Sequence, residues 1–534
     1  MLFLIVPAGI LFLSTVSIWL MDKIRKNVGI SWLITIVTAG LFWIWTIYLH
    51  WVPDSAFQIG RSTFPGMEIP LVFQLDSFSR PYLMAISSLF LMTILTVSSR
   101  YESKTAVQQW IGFEMIAFIG MMGIASGGIW PVLLCWMIFD IIDLFFVFSV
   151  SEKVNFVSFL TKVTSIRLTG TLVAAVGLAL SIYDAGGLYQ ADVVSSSGGI
   201  VILVACAMRL GIVPIYQPHL SYSQTKTGLV TMLRFTSIFT VLPILCRIPL
   251  TSLSPDIATA LSIFSGFASF FCAFGWLFST DTDQRKSYFI TATASMAFAC
   301  ILRGQQQASI IWGVSMILSS PLFFLQHSNS RVLKALLVTI CFLFSGLPYT
   351  PNAAGWTGLI VYPFSAMDIL FWSVHCVLLT GLFVHIFSDT EFNQPVTEPW
   401  MRSVYPIGIL FTIGSYLLIA SFNWFFIRQT GIWWASLASF VIAVFFLWGG
   451  VYWISQKRYQ NVINWVRILV KWFLLINRKV LELDWLFFIL GKIASGIEKS
   501  VFFISDMIEG PGGILWEFLL LIAFIWILLS GRSV

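Results

Sequence analysis

Asp140 and Asp143 interrupt one of the most apolar stretches of this chain, Cys135-Trp-Met-Ile-Phe-Asp-Ile-Ile-Asp143. Their spacing puts both carboxylates on one face of a helix. An ionisable side chain at membrane depth is costly, which makes it a candidate for function. Two desolvated carboxylates this close could keep one proton near neutral pH; alternatively, a basic group pairs with them and the cluster only pins helices together. Asp368 is a further charge within an apolar run. His327, His375 and His385 could relay protons, since imidazole titrates near physiological pH, but a lone His near the end of an apolar run is more often a hydrogen-bonded interfacial residue. Glu114 and Arg167 flank apolar runs, where snorkelling to the interface accounts for them.

No motif for soluble-type catalysis is present: there is no P-loop, dinucleotide fingerprint, nucleophile elbow or HExxH. The chain is therefore expected to have no catalytic site of its own and no cofactor. Its seven cysteines, Cys135, Cys206, Cys246, Cys272, Cys300, Cys341 and Cys376, all lie within apolar runs, without a CxxC pair or a His at ligand spacing. No metal, iron–sulfur cluster or disulfide framework is expected.

The elements that must hold these charges follow from composition. Of 534 residues, 58% are hydrophobic and 10% charged, against roughly 25% charged in a soluble domain. Apolar runs of about 20 residues, enough to cross roughly 30 Å of hydrocarbon, recur along the chain. Lipid leaves no partner for a free backbone amide, and the runs are too long for barrel strands, so the fold class is an all-α polytopic membrane protein. About sixteen spans are expected, at 1–21, 29–49, 81–99, 107–126, 128–150, 168–184, 198–216, 228–248, 256–279, 287–303, 307–325, 332–348, 366–387, 404–427, 430–455 and 511–530. The first lacks a basic n-region and a small-residue cleavage site, and is read as a retained span.

The net charge of +6 is scattered between spans, which argues against a nucleic-acid partner. Lys23/Arg25/Lys26, Arg100/Lys104, Lys153, Lys226, Arg285/Lys286 and Arg331/Lys334 follow alternate spans. The positive-inside rule then places both termini outside a plasma (inner) membrane. Residues 50–80 read as an outside loop with prolines and charges. Residues 456–509 interleave Arg467, Lys471, Lys492 and Glu498 with Trp465, Trp472 and Trp485 at helical intervals, the pattern of a helix lying in the membrane interface. At about 1.5 Å per residue it would run on the order of 80 Å.

Several segments together resemble the antiporter-like membrane subunits of complex I, membrane-bound hydrogenases and multisubunit sodium/proton antiporters. Phe73-Gln-Leu-Asp-Ser-Phe-Ser79 resembles the F-x-L-D-x-L-S signature before the third span, and Ala207-Met-Arg-Leu-Gly-Ile-Val-Pro214 a broken seventh span in which a basic residue precedes proline. Asp281-Thr-Asp-Gln-Arg-Lys-Ser-Tyr288 is similar to the D-x-K-R-x-x-A-Y-S turn, with the basic pair displaced, and Phe344-Ser-Gly-Leu-Pro-Tyr-Thr-Pro351 to the L-A-G-x-P-P-F element. Leu481-Glu-Leu-Asp-Trp485 and Glu509-Gly-Pro-Gly-Gly-Ile-Leu-Trp516 resemble C-terminal elements of some members.

The resemblance implies two inverted five-helix repeats, each with a broken helix whose charge lies near the midplane. It divides the chain into N-terminal spans 1–106, repeats 107–250 and 251–390, C-terminal spans 391–455, a lateral helix 456–509 and a last span 510–534. Asp140 falls where the family carries a Glu, and Arg209 where it carries a Lys. The implied ion path is Asp140, Asp143, Arg209, Arg234 and Asp368, with Asp140 as proton carrier and Arg209 as countercharge. Arginine keeps its charge, so Arg209 can bias Asp140 but hardly relay a proton. With Arg247 aligned to the family's Arg, Phe239 replaces an expected Lys or His, and Ser320 replaces a basic residue of the eleventh span. The implied function is a proton- or cation-translocating subunit, partnered by sibling membrane subunits and the bilayer. The alternatives are a scaffold whose ion path has decayed, or the membrane partner of a bicarbonate or other anion uptake system.

Overall fold

The computed structural model describes residues 2–24, 28–64, 67–97, 106–150, 154–184, 194–216, 227–248, 254–279, 282–325, 331–388, 401–428, 432–455 and 484–509, with isolated positions between 468 and 479 and at 519, 522 and 523. It divides into two units, Met1–Asn477 and Arg478–Val534. Asp281, His327 and most of 456–483 and 510–534 lie outside the described residues.

In the first unit a helix lies on each predicted span through 430–455. The helices of this unit are α1 (Leu2–Ile24), α2 (Val28–Tyr48), α3 (Ser79–Val97), α4 (Ala106–Ala125), α5 (Ile129–Val150), α6 (Val154–Asp184), α7 (Ser196–Leu210), α8 (Thr227–Arg247), α9 (Pro255–Phe278), α10 (Thr282–Leu302), α11 (Gln306–Leu325), α12 (Arg331–Phe344), α13 (Trp356–Leu359), α14 (Ala366–Ser388), α15 (Met401–Phe422), α16 (Trp424–Arg428) and α17 (Trp433–Ser455), and the short α13 lies on none of the predicted spans. By length and apolarity alone α1, α2, α9, α14 and most of α6 and α15 can cross a membrane. Large apolar side chains such as Phe12, Leu172 and Phe267 remain exposed on them, as lipid-facing residues do. All seven cysteines are buried and unpaired.

The loop expected at 50–80 folds instead as an antiparallel hairpin, β1 (Ser55–Phe64) and β2 (Met67–Leu75). Its end alternates like a strand: Phe73 and Leu75 are buried, and Gln74 between them is half-buried. Pro70 sits opposite a register shift between Ile59 and Arg61, where its missing N–H does least harm. β2 docks on the α4–α5 turn, with the Gly127 amide donating to the Val72 carbonyl at 2.8 Å.

Two helices stop short. Gly211 ends α7 in the left-handed region, at φ 78°, a conformation glycine adopts without the Cβ penalty. Gly346 follows α12 at φ 70°, and the chain continues through a 3-10 turn at Pro351–Gly355 into α13. Each break thus frees backbone groups within the bundle. Another helix is longer than predicted: α6 begins at Val154, not near 168, which carries Arg167 well inside it.

In the second unit α18 (Asp484–Glu509) is amphipathic, with Leu490, Ile493, Ile497 and Val501 exposed at helical spacing.

Candidate functional site

The structure brings Asp140 and Arg209 together, and adds Arg167 and Asp143. α5 carries the two aspartates, α6 carries Arg167 and Thr171, and Arg209 occupies the last turn of α7. Both Asp140 and Arg209 are wholly buried. Arg209 donates through Nη1 to Asp140 Oδ2 at 2.8 Å and through Nη2 to Oδ1 at 3.1 Å. From the other side Arg167 donates to Asp140 Oδ1 at 2.7 Å and to Asp143 Oδ2 at 2.5 Å. Two acids thus meet two guanidiniums, and the formal charge of the four is zero.

Neutral neighbours complete the cluster. Arg209 Nη1 also donates to Thr171 Oγ1 at 2.6 Å and to the Arg167 carbonyl at 3.1 Å, and its guanidinium lies 4.6 Å from the Trp136 ring centre, a cation–π distance. The Trp136 indole donates to Thr240 on α8 at 2.8 Å. The approach of α7 to α6 depends on glycines: a Cβ at Gly170 would lie 3.1 Å from Arg209 Cγ, and one at Gly177 2.7 Å from Ile202 Cγ1.

This arrangement can act as a charge lock. Both Asp140 oxygens accept from guanidiniums, so an added proton finds a free oxygen only when an arginine withdraws. Neither arginine can supply that proton, because the guanidinium stays charged.

The remaining residues of the expected path sit elsewhere. Arg234 is buried on α8. Asp368 lies in the first turn of α14, where it accepts from the Ser365 amide at 2.7 Å and pairs with Arg303 at 2.6 Å; a carboxylate there also faces the positive end of the helix. Phe239 is buried beside Phe235. Ser320 is buried, its hydroxyl without a hydrogen-bond partner among the described residues.

The α12 break has a polar but uncharged surround. Asn352 donates to Ser315 Oγ at 2.8 Å and to the Phe344 carbonyl at 3.1 Å, and accepts from Tyr416 at 2.7 Å. His375 stacks on Phe344 and lies beside Trp312 and Trp356. It and His385, which lies in the last turn of α14 and bonds the Trp276 carbonyl at 2.9 Å, are buried.

Two residues read as snorkelling are corrected. Arg167 is buried because α6 starts earlier than its apolar run. Glu114, on α4, is buried with no exposure at all and accepts from Ser14 and Thr15 of α1. A single charge in an apolar run looks the same at an interface and in a core until the facing helix is known.

Two motif residues distant in sequence also meet. Arg247 grips Asp76 at 2.9 and 3.0 Å, and its Nη1 reaches the Ser126 carbonyl. Asp76 in turn accepts from the Ser79 and Phe78 amides at 2.7 and 3.1 Å, capping α3. Burial raises the Asp76 pKa, but Arg247 and Ser79 outweigh it and hold the carboxyl below its ordinary range. The pair borders a cleft of about 380 Å³ that Gln74, Gly128 and Gln306 also line.

No family model and no curated protein sequence matches the chain. Solved structures do match in fold. A chain of respiratory complex I from Thermus thermophilus is 14% identical, with a TM-score of 0.63 over 82% of this chain and 99% of that one. A chain of the Mrp complex from Dietzia sp. is 13% identical, with a TM-score of 0.70 over 99% of this chain and 63% of that one. A chain of an archaeal membrane-bound sulfane sulfur reductase is 12% identical, with a TM-score of 0.68 over 98% of this chain and the whole of that one. The chain shares its fold with these three chains of multisubunit membrane complexes.

Proposed function

We propose that this chain is a proton- or cation-translocating, antiporter-like membrane subunit of a multisubunit complex, and that the Asp140–Arg209 pair is its charge gate. The observation that carries this reading is the neutral ionic quartet buried where α7 breaks off. Opening the Arg209 contact frees Asp140 Oδ2 for a proton while Arg167 stays on Oδ1, and closing it expels the proton. Interrupted helices are where transporter folds place ion sites, and the shared fold supports the same placement. Redox chemistry, if it drives the assembly, belongs to another subunit.

The rest of the proposal is architectural. The repeats are 107–250 and 251–390, between N-terminal spans 1–106 and C-terminal spans 391–455, with both termini outside. The 456–509 region lies along the membrane against sibling subunits, before the last span 510–534; the exposed apolar stripe of α18 supports this.

A scaffold is the second reading, favoured by the closed pairing of Asp140 and by the uncharged surround of the α12 break. The native assembly in vesicles with a pH-sensitive dye separates the two. Under the gate, Asp140→Asn assembles but loses most ion movement, and Arg209→Lys retains or raises it. Unchanged pumping by an assembled Asp140→Asn complex would leave the scaffold.

A further inference from the structure

Glu114 stands near the middle of α4 and faces the middle of α1. Its carboxyl is fully buried, with Ser14 Oγ on Oε1 and Thr15 Oγ1 donating to Oε2 at 2.8 Å. Thr15 Oγ1 also lies 2.9 Å from the Leu11 carbonyl; its single hydrogen serves one of these two oxygens, and when it turns to Leu11 the hydroxyl accepts from a protonated Glu114.

No cation answers this carboxyl among the described residues. Of the elements packed against α4, α2 carries no charged residue and the charge of β2, Glu68, is itself an acid; the cations and acids of the others are engaged elsewhere. Lys23 lies at the end of α1 over Trp19, beside Asp22. Arg80 of α3 holds Asp54, and Tyr82 is buried against Gly313. Asp140 and Asp143 of α5 hold the two arginines of the quartet. On α8, Arg247 holds Asp76 and Arg234 engages other residues.

An isolated carboxylate in a low-dielectric interior is far costlier than a neutral acid that shares hydrogen bonds. Two hydroxyls are poor substitutes for a countercharge, but suit a carboxylic acid: it donates one hydrogen bond and accepts others. We propose that Glu114, framed by Ser14 and Thr15, is a second proton-binding site, separate from the quartet and lying between α1 and α4. Its ligand is a proton. Beside Ser14, Phe12 and Leu13 are exposed on the lipid-facing side of α1, so the site lies close to the edge of the bundle. The inference does not depend on the quartet moving ions.

The test uses the purified native assembly at neutral pH. Dicyclohexylcarbodiimide, which attacks protonated carboxylic acids in apolar surroundings, is expected to form an adduct at Glu114, less of it as pH rises, and none at Asp140. The infrared spectrum is expected to contain a protonated-acid carbonyl band that Glu114→Gln removes and that shifts in heavy water. If that band is missing from the parent protein, Glu114 is ionised and the proposal falls, whatever the reagent does. Protection of Glu114 by sodium ions, with the band lost on their addition, would overturn it in favour of a cation site. Should Glu114→Gln fail to assemble, Ser14→Ala serves in its place: under the proposal it keeps the band and moves its frequency, and an unmoved band refutes the assignment to Glu114.

Discussion

Replacing Asp140 by Asn preserves the shape of the side chain and deletes its charge, leaving two buried guanidiniums facing Asp143 alone. At an effective dielectric of about 20, unit charges about 4 Å apart attract by roughly 4 kcal/mol. Asp140 makes two such pairs, with Arg209 and Arg167. The asparagine oxygen still accepts a hydrogen bond, but its amide N–H groups then face guanidinium N–H groups. Removing one partner of a buried pair costs roughly 3–5 kcal/mol, and that is the expected loss of stability. Because all seven cysteines are buried and unpaired, a thiol-reactive dye reports thermal unfolding of the detergent-solubilised assembly directly. The double variant Asp140→Asn/Arg209→Gln restores a formal charge of zero and is expected to recover more than half of the loss. If Asp140→Asn melts with the parent, or the double variant is no better than the single, the quartet is not a buried, charge-balanced cluster and the gate has no basis.

Gly198→Ala is expected to destabilise by about 1–3 kcal/mol through overpacking, because the added Cβ meets Ser181 Oγ and the Gly177 carbonyl; it should also disturb Arg209, read as weaker ion movement at equal assembly. The Asp76 carboxyl is held low by Arg247, so its stabilising share is complete above the ordinary Asp value of about 3.9 and fades only as pH falls through the depressed folded value. Melting the parent and Arg247→Met across acid pH checks this, since the variant should lose stability at higher pH. His50, just after α2, stacks on Phe422, and burial lowers its pKa to about 4. An imidazole kept neutral by the fold stabilises fully above its unfolded value of about 6.5, and loses that share as pH drops from there towards 4. His50→Phe should flatten the melting profile in this window, and an unchanged profile would refute the assignment.

By itself the sequence determined the solvent, the helices and one half of the site. Charge-free runs of spanning length leave helices as the structure that satisfies every backbone amide in lipid, and the long helices from α1 to α17 follow them. Asp140 and Asp143 could be paired on one face because helical spacing is local, and the resemblance around Arg209 and Pro214 implied the α7 break. Residues 50–80 read as a loop, and the hairpin there gains its order from docking on the α4–α5 turn. Tertiary structure alone decided which cation each acid meets. Asp140 is 69 residues from Arg209 and Asp76 is 171 from Arg247, and no local period encodes such distances. It also decided that Arg167 and Glu114 face the core, because whether a lone charge reaches the interface or turns inward depends on the helix packed opposite. Glu114 became a site only when α1 set two hydroxyls, and no cation, against it.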